Sequence, residues 1–358
     1  MKPSLVHPKF KLNGEAFLSA EVLKERANYL VENGKDDETA IGRFILEWLN
    51  DNDFIIVKTS GSTGVPKEIK LHKKHVFNSA EATVTYFDLK ENTKALLCLP
   101  SEYIAGKMIL VRAMTAGWDL YTSAPDKNPL QDFNDAFDFT AMVPYQVFHS
   151  LEDLHKVKKL IIGGGSVSND LEHQLQKQPT QVFATYGMTE TISHIAVRPI
   201  NGKEKSKVFA ALPKVNFSQT ENGCLQIQAP EISEEIVITN DVVELLSPTS
   251  FMFLGRIDNM INTGGVKVHP EIIEEKLSLR IKQPFFITSE KDDALGERVI
   301  LIIETDKIEV LENFSEAFQN ISRYEKPRKI YTLSNFQYTE TGKIKRAEVL
   351  KDLEIINK

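Results

Sequence analysis

Strand–helix alternation between residues 54 and 185 constrains the fold most. Apolar runs at Phe54–Val57, Lys94–Leu99, Leu120–Tyr121, Phe139–Val143, Lys158–Ile162 and Gln181–Thr185 read as strands. Helical spacing fills the gaps at Lys73–Phe87, Ile104–Ala116, Gln146–Leu151 and Asn169–Lys177. This pattern predicts an α/β layered domain with largely parallel strands. Loops that bind ligands in such sheets follow the carboxyl ends of strands. The segments 58–67, 163–165 and 186–191 each follow a predicted strand and are expected to converge on one crevice. Residues 1–50 are predicted mostly helical, with a second helix over roughly Thr39–Leu49.

The first of these loops reads Thr59-Ser60-Gly61-Ser62-Thr63-Gly64-Val65-Pro66-Lys67. Small residues let backbone N–H groups approach an anion closely, and hydroxyls add donors. Lys67 adds a positive charge. The composition suits a nucleotide triphosphate, and the alternative is a Ser/Gly surface turn. It is not a Walker A loop, which needs Gly-x-x-x-x-Gly-Lys-Ser/Thr. Here Gly61 and Gly64 are three apart and Glu68 follows Lys67. That spacing disfavours a phosphoryl-transferring P-loop ATPase.

Beyond residue 185 the pattern changes. Short alternating strands between Val208 and Leu254 predict a β-rich subdomain, and a boundary falls near Gly255–Asn259. The rest predicts a compact α+β unit: a helix from Pro270, strands at Phe285–Ser289 and Val299–Glu304, a helix near 311–322, and a strand at Lys329–Leu333. With 358 residues there is room for a large domain, 1–257, and a small one, 258–358. The net charge of −7 argues against a general nucleic-acid binder. No run of 18 apolar residues exists, and the N-terminus lacks the apolar core of a signal peptide. Cys98 and Cys224 are the only cysteines, too few for a disulfide framework and wrongly spaced for zinc. A reduced, cytoplasmic setting is expected.

Four further constellations carry chemistry. Tyr186-Gly187-Met188-Thr189-Glu190-Thr191 places an acid beside hydroxyls at a strand end, suited to Mg²⁺ and phosphate oxygens or to a plain capped turn. Thr239-Asn240-Asp241 is expected to end a strand, where a carboxylate can accept both hydroxyls of a ribose or make an Asx turn. Gly255–Glu271 combines the donor fork of Arg256, the acid Asp258 and the adjacent Gly264 and Gly265. Thr341-Gly342-Lys343-Ile344-Lys345-Arg346 sets Lys343 on a glycine-containing loop or on a solvated basic face.

In this order the pieces resemble the acyl-adenylate-forming (AMP-binding) superfamily of acyl-CoA synthetases, aryl-acid ligases, luciferases and peptide-synthetase adenylation domains. Thr59–Lys67 is similar to its phosphate loop and Tyr186–Thr191 to its Y-G-x-T-E motif. Asp241 resembles the acid of T-G-D, with Asn240 in place of Gly. Gly255–Glu274 resembles the G-R-x-D…G-G…P-x-E-I-E signature, with Ile272 where the first Glu is usual. Thr341–Arg346 matches G-K-x-x-R. The resemblance covers about residues 54–350.

The resemblance implies two half-reactions: a carboxylate and ATP give an acyl-AMP and pyrophosphate, then a thiol, often CoA, displaces AMP. It implies that Lys343 neutralises charge at the α-phosphate and that Glu190 holds Mg²⁺ with Thr189 beside it. Thr59, Ser60, Gly61, Ser62, Thr63, Gly64 and Lys67 would hold the outer phosphates. Asp241 and Arg256 would grip the ribose. Gly163, Gly164 and Gly165, with Tyr186 and Gly187, would lie along the nucleotide and acyl group. The small domain would be mobile, hinged at Asp258, and would bring Gly264 and Gly265 to the CoA tunnel. The partners implied are a carboxylic acid, ATP and CoA, in a monomer or homodimer.

Relatives usually carry a longer stretch before the phosphate loop. The early loop, and the resemblance of Leu99–Arg112 to an L-P-x-x-H-x-x-G…R stretch, are similar to o-succinylbenzoate–CoA ligase-like proteins of menaquinone biosynthesis. Tyr103 stands where the His is usual. A dicarboxylic substrate needs a cation or donors for its second carboxylate, and Arg112, Lys107 and His194 are the candidates. The alternatives are an adenylating ligase for another aryl or acyl acid and a non-catalytic AMP-binding regulator.

Overall fold

The computed structural model describes residues 5–58, 68–306, 317–319, 321–338 and 344–356, so the 59–67 segment and Lys343 lie outside the described residues. Among the described residues no helix is long and apolar enough to cross a membrane.

Strands β1 (Lys11–Leu12) and β2 (Glu15–Ala16) precede helices α1 (Ala20–Asn33) and α2 (Asp36–Trp48). Ser19 caps α1 by accepting the Val22 N–H. The two helices pack tightly because α2 carries Gly42 where they cross: a Cβ there would lie 2.6 Å from the Ala27 carbonyl oxygen. Trp48 is fully buried, and its indole N–H donates to the Leu5 carbonyl at 2.9 Å.

The next two strands correct an expectation. β3 (Phe54–Lys58) does not enter the large parallel sheet; among the described strands it pairs only with β4 (Glu68–His72), antiparallel, as a separate hairpin. Ile55 and Val57 are buried while Ile56 is 39% exposed, the alternation of a half-buried strand. Lys58 faces Glu68 across the pair, so the two ends of the 59–67 segment meet at the hairpin stem.

Helix α3 (Lys73–Tyr86) leads into β5 (Lys94–Leu97), α4 (Ile104–Ala116), β6 (Asp119–Thr122), β7 (Phe137–Met142), α5 (Pro144–His149), β8 (Val157–Ile162), α6 (Asn169–Leu175) and β9 (Gln181–Gly187). These strands pair in parallel in the order β9-β8-β7-β5-β6-β1. One face is covered by α1 to α4 and the other by α5 and α6, each with its own apolar core. Parallel pairing with helices on both faces is what the alternation predicts.

The same sheet then continues antiparallel through β10 (His194–Pro199), β11 (Val208–Ala211), β15 (Ser250–Arg256), β14 (Val237–Ser247), β13 (Cys224–Gln228) and β12 (Asn216–Gln219). Thr239-Asn240-Asp241 therefore lies inside a strand of 11 residues and does not end one. A register shift between Val242 and Val243 lets the strand run on past this point.

A second, five-stranded sheet follows: β17 (Val266–Val268), β16 (Ile261–Thr263), β19 (Gly296–Glu304) and β18 (Phe285–Asp292), with β20 (Lys329–Leu333) parallel to β19. Helix α7 (Pro270–Leu277) covers one face and α8 (Arg346–Ile356) the other. Polar contacts join this part to α6: Lys282 with Asp170 at 2.7 Å, and Asn169 to the Ser278 hydroxyl at 2.9 Å.

Candidate active site

Two polar clusters flank the end of β9. The first begins at Tyr186, whose hydroxyl donates to Asp241 Oδ2 at 2.5 Å. Arg256 lies across the β14–β15 pair from Asp241, with Nη1 3.6 Å from Oδ1. Its Nη2 donates to Asp258 Oδ2 at 3.0 Å, and Asn240 donates to the same oxygen at 3.2 Å. Burial and the neighbouring Asp241 carboxylate push the Tyr186 hydroxyl well above its usual range, so it stays protonated and remains a donor. Asp241 is nine-tenths buried yet keeps a lone-pair face beside an exposed guanidinium. This cluster can accept a vicinal diol. Asn240, which departs from the family's Gly, orients Asp258, the expected hinge residue, on its exposed 3-10 turn.

The second cluster is built by a tight turn. Residues 189–191 form one 3-10 turn, with Glu190 exposed. The Thr191 hydroxyl accepts the Met188 N–H at 3.0 Å and donates to the Ser193 carbonyl at 2.8 Å. Ser193 N–H then closes on the Thr191 carbonyl at 2.6 Å, a γ-turn centred on Ile192 with φ 65° and ψ −55°. A β-branched residue there is strained, and the full burial of Ile192 offsets the cost. The turn brings Ser193 and His194 back against β9, where His194 faces Gly187. Only glycine fits: a Cβ at 187 would sit 2.4 Å from the Ser193 carbonyl oxygen.

Arg112 projects from α4 to this turn. It is 2% exposed, and its Nη2 donates to Ser193 Oγ at 2.7 Å. Its Nε has no partner, and no carboxylate pairs with it among the described residues. Burial pushes the guanidinium down to about 9, which leaves it charged at neutral pH. His194 lies between Ser193 Oγ (3.3 Å) and Thr83 Oγ1 of α3 (3.4 Å). Burial, with the Arg112 charge beside it, holds His194 well below the usual histidine range and therefore neutral. A buried cation without a counter-ion is costly unless an anion completes it. The arrangement can receive a carboxylate.

The other candidates spread more widely. Gly163–Gly165 follow β8, and a Cβ on Gly163 would lie 2.9 Å from Thr185 Oγ1, so this loop runs beside the end of β9. Tyr103 precedes α4 and is 45% exposed. Gly264 (φ 59°) and Gly265 (φ 82°) form the two-residue turn between β16 and β17, where positive φ at both positions requires glycine. Lys107 is not in the Arg112 cluster: it pairs with Glu47 of α2 at 3.0 Å. Sequence reasoning missed Ser193 and Thr83, which become legible only when the γ-turn and α3 bring them to His194. Among the described residues no group of three or more His, Cys, Asp or Glu is placed to hold a metal. The chain's share in holding Mg²⁺ would be one carboxylate, Glu190, which fits an ion completed by phosphate oxygens and water.

The family model described as AMP-binding enzyme matches residues 7–217. The solved acyl-CoA synthetase (AMP-forming)/AMP-acid ligase II-like protein of Dyadobacter fermentans DSM 18053 is 34% identical, covers 92% of this chain and 98% of its own, and has a TM-score of 0.63. The 2-succinylbenzoate–CoA ligase of Escherichia coli (strain K12) is 25% identical over 294 residues, 77% of this chain. The chain spans 63% of that relative's length. The o-succinylbenzoate CoA synthetase of Bacillus subtilis, solved with the acyl-adenylate intermediate OSB-AMP, shares the fold with a TM-score of 0.71 at 18% identity, over 82% of this chain and 68% of that one. By the extent of the family match and the full-length likeness to the Dyadobacter protein, this chain belongs to the AMP-binding enzyme family.

Proposed function

We propose that the protein is an ATP-dependent acid–CoA ligase whose acid is 2-succinylbenzoate. The observation that carries the choice of acid is the buried Arg112 guanidinium, whose Nε has no partner and which no carboxylate pairs among the described residues. A monocarboxylic acid spends its one carboxylate on ATP. A dicarboxylic acid keeps a second, which Arg112 and Ser193 can receive while neutral His194 adds no competing charge. The names of the Escherichia coli and Bacillus subtilis relatives support the same acid.

In the first half-reaction a carboxylate oxygen bonds to the α-phosphorus and the bond to pyrophosphate breaks. Two anions approach, so cations must neutralise the developing charge. By family resemblance Lys343 and the 59–67 segment would take that role, and Glu190 would hold a Mg²⁺ that supplies further positive charge there. Asp241, oriented by Tyr186, and Arg256 hold the ribose. In the second half-reaction the CoA sulfur bonds to the acyl carbon and AMP leaves with its oxygen. The small domain, 258–358, turning about Asp258, exchanges Lys343 for Gly264-Gly265 at the site.

A panel of mono- and dicarboxylic acids, scored for ATP- and CoA-dependent AMP release, tests the choice of acid. 2-Succinylbenzoate is expected to turn over best. Arg112→Met is expected to lower its kcat/KM by on the order of 10²-fold, the cost of stranding a buried charge, while monocarboxylates change little. Equal losses for both classes would refute the role of Arg112. Turnover of a monocarboxylate in preference would refute the acid.

A further inference from the structure

The peptide group of Ile56 is held on both sides by side chains. Its N–H donates to Glu47 Oε1 at 2.6 Å, and its C=O accepts from Lys107 Nζ at 2.8 Å. Lys107 Nζ also donates to Glu47 Oε2 at 3.0 Å, which closes a circuit of three bonds among α2, β3 and α4. The ammonium lies 4.9 Å from the centroid of the Phe44 ring, one turn before Glu47 on α2. The Lys107 side chain is 9% exposed and that of Glu47 25%. This is an ion pair largely withdrawn from water, and each partner also bonds the backbone of Ile56.

The place of that position gives the circuit a task. β3 and β4 pair with no other described strand, so packing of Ile55, Val57 and Leu71 holds one face but no further ladder holds the free edge of β3. Ile56 turns its backbone groups away from β4, to the free edge. It lies two residues before Lys58, whose pairing with Glu68 closes the stem of the 59–67 segment. We propose that Glu47 and Lys107 are positioning residues for ATP: they hold the stem, Phe54–Lys58 and Glu68–His72, from which the 59–67 segment departs, and act on nucleotide binding through that stem. The proposal rests on the reading of 59–67 as that loop. It also gives α2 a part in nucleotide binding.

The test uses the full chain and measures the Kd of ATP by calorimetry together with the KM of ATP and of the acid. Misplacement of a binding loop by about 1 Å costs up to 10²-fold, so Lys107→Met is expected to weaken ATP about tenfold in both Kd and KM. The KM of the acid should stay within about twofold, and Lys107→Arg, which keeps the donors, should restore ATP to within about threefold. Hydrogen exchange should quicken across 54–58 and not across α1. If Lys107→Met does not fold, Glu47→Met carries the same expectation, since it removes the acceptor for both Ile56 N–H and Lys107. A folded variant with native ATP affinity, or an acid KM that rises as much as that of ATP, overturns the clamp. Failure of the native protein to bind ATP at all overturns instead the functional reading beneath it.

Discussion

At the scale of single residues, the site depends on polar groups that keep one protonation state. Tyr186 remains a phenol because burial and Asp241 both oppose its ionisation, so its hydrogen bond to Asp241 persists at any physiological pH. Tyr186→Phe should weaken the grip on ribose by about 2 kcal/mol, the range for a hydrogen bond to a charged group. The KM of ATP should rise with little change in the KM of the acid, and steady-state kinetics with each substrate varied would show the split. An equal rise in both would place Tyr186 outside the ribose site. Asp241, Arg256 and Arg112 could be picked out in the sequence because each stands in a spaced motif, and His194 only as a candidate cation. Ser193, Thr83 and Glu47 were not: they are ordinary polar residues whose meaning comes from partners 81 and 111 positions away in the first two cases and from Ile56 in the third.

At the scale of elements, the alternation of strands and helices foretold the parallel half of the sheet, and Ile104–Ala116 was read to the residue. The failure at β3 is instructive. Four apolar residues in a row look alike whether a strand is buried on both faces or leans on helices with one, and only pairing decides. The pairing partner lay across a segment read for its chemistry, so the hairpin was missed. The strand at Thr239–Asp241 was cut short for a related reason: Asn and Asp favour turns, but the ladder with β15 outweighs that local preference. α7 and α8 are tied by a link with a pH dependence. Glu274 Oε1 accepts the Ile287 N–H at 2.8 Å, and Oε2 accepts from Arg346 Nη2 at 2.8 Å. Burial pushes the Glu274 carboxyl up to about 7 against the pull of Arg346. The folded state then binds a proton that the unfolded state releases near 4.5, so this contribution is full below that value and is lost as pH rises through about 7. Relative to Glu274→Gln, which does not titrate, the native protein should lose on the order of 3 kcal/mol between pH 4 and pH 8 in denaturant unfolding of the C-terminal part. A difference that stays flat or grows with pH would reverse the sign and with it the dominance of burial.

At the scale of the whole molecule, the large sheet gathers the residues argued to hold ribose and acid around the end of β9, and the five-stranded sheet carries the Gly264-Gly265 turn. Composition and motif order set the expectation of a boundary near Gly255–Asn259. The packing of Asn169 and Asp170 against Ser278 and Lys282 was not legible, because exposed polar residues carry no sequence sign of what they meet. The reaction proposed for this assembly has one atomic signature. If a carboxylate of the acid attacks the α-phosphorus and AMP later departs from the acyl carbon, one carboxylate oxygen must travel with AMP. Turnover of acid labelled with ¹⁸O in its carboxylates, with ATP and CoA and mass analysis of the nucleotide, reads that transfer directly. One ¹⁸O in AMP, with unlabelled pyrophosphate, is the expected result. Label in inorganic phosphate with release of ADP, or AMP without label, would contradict an acyl-adenylate route.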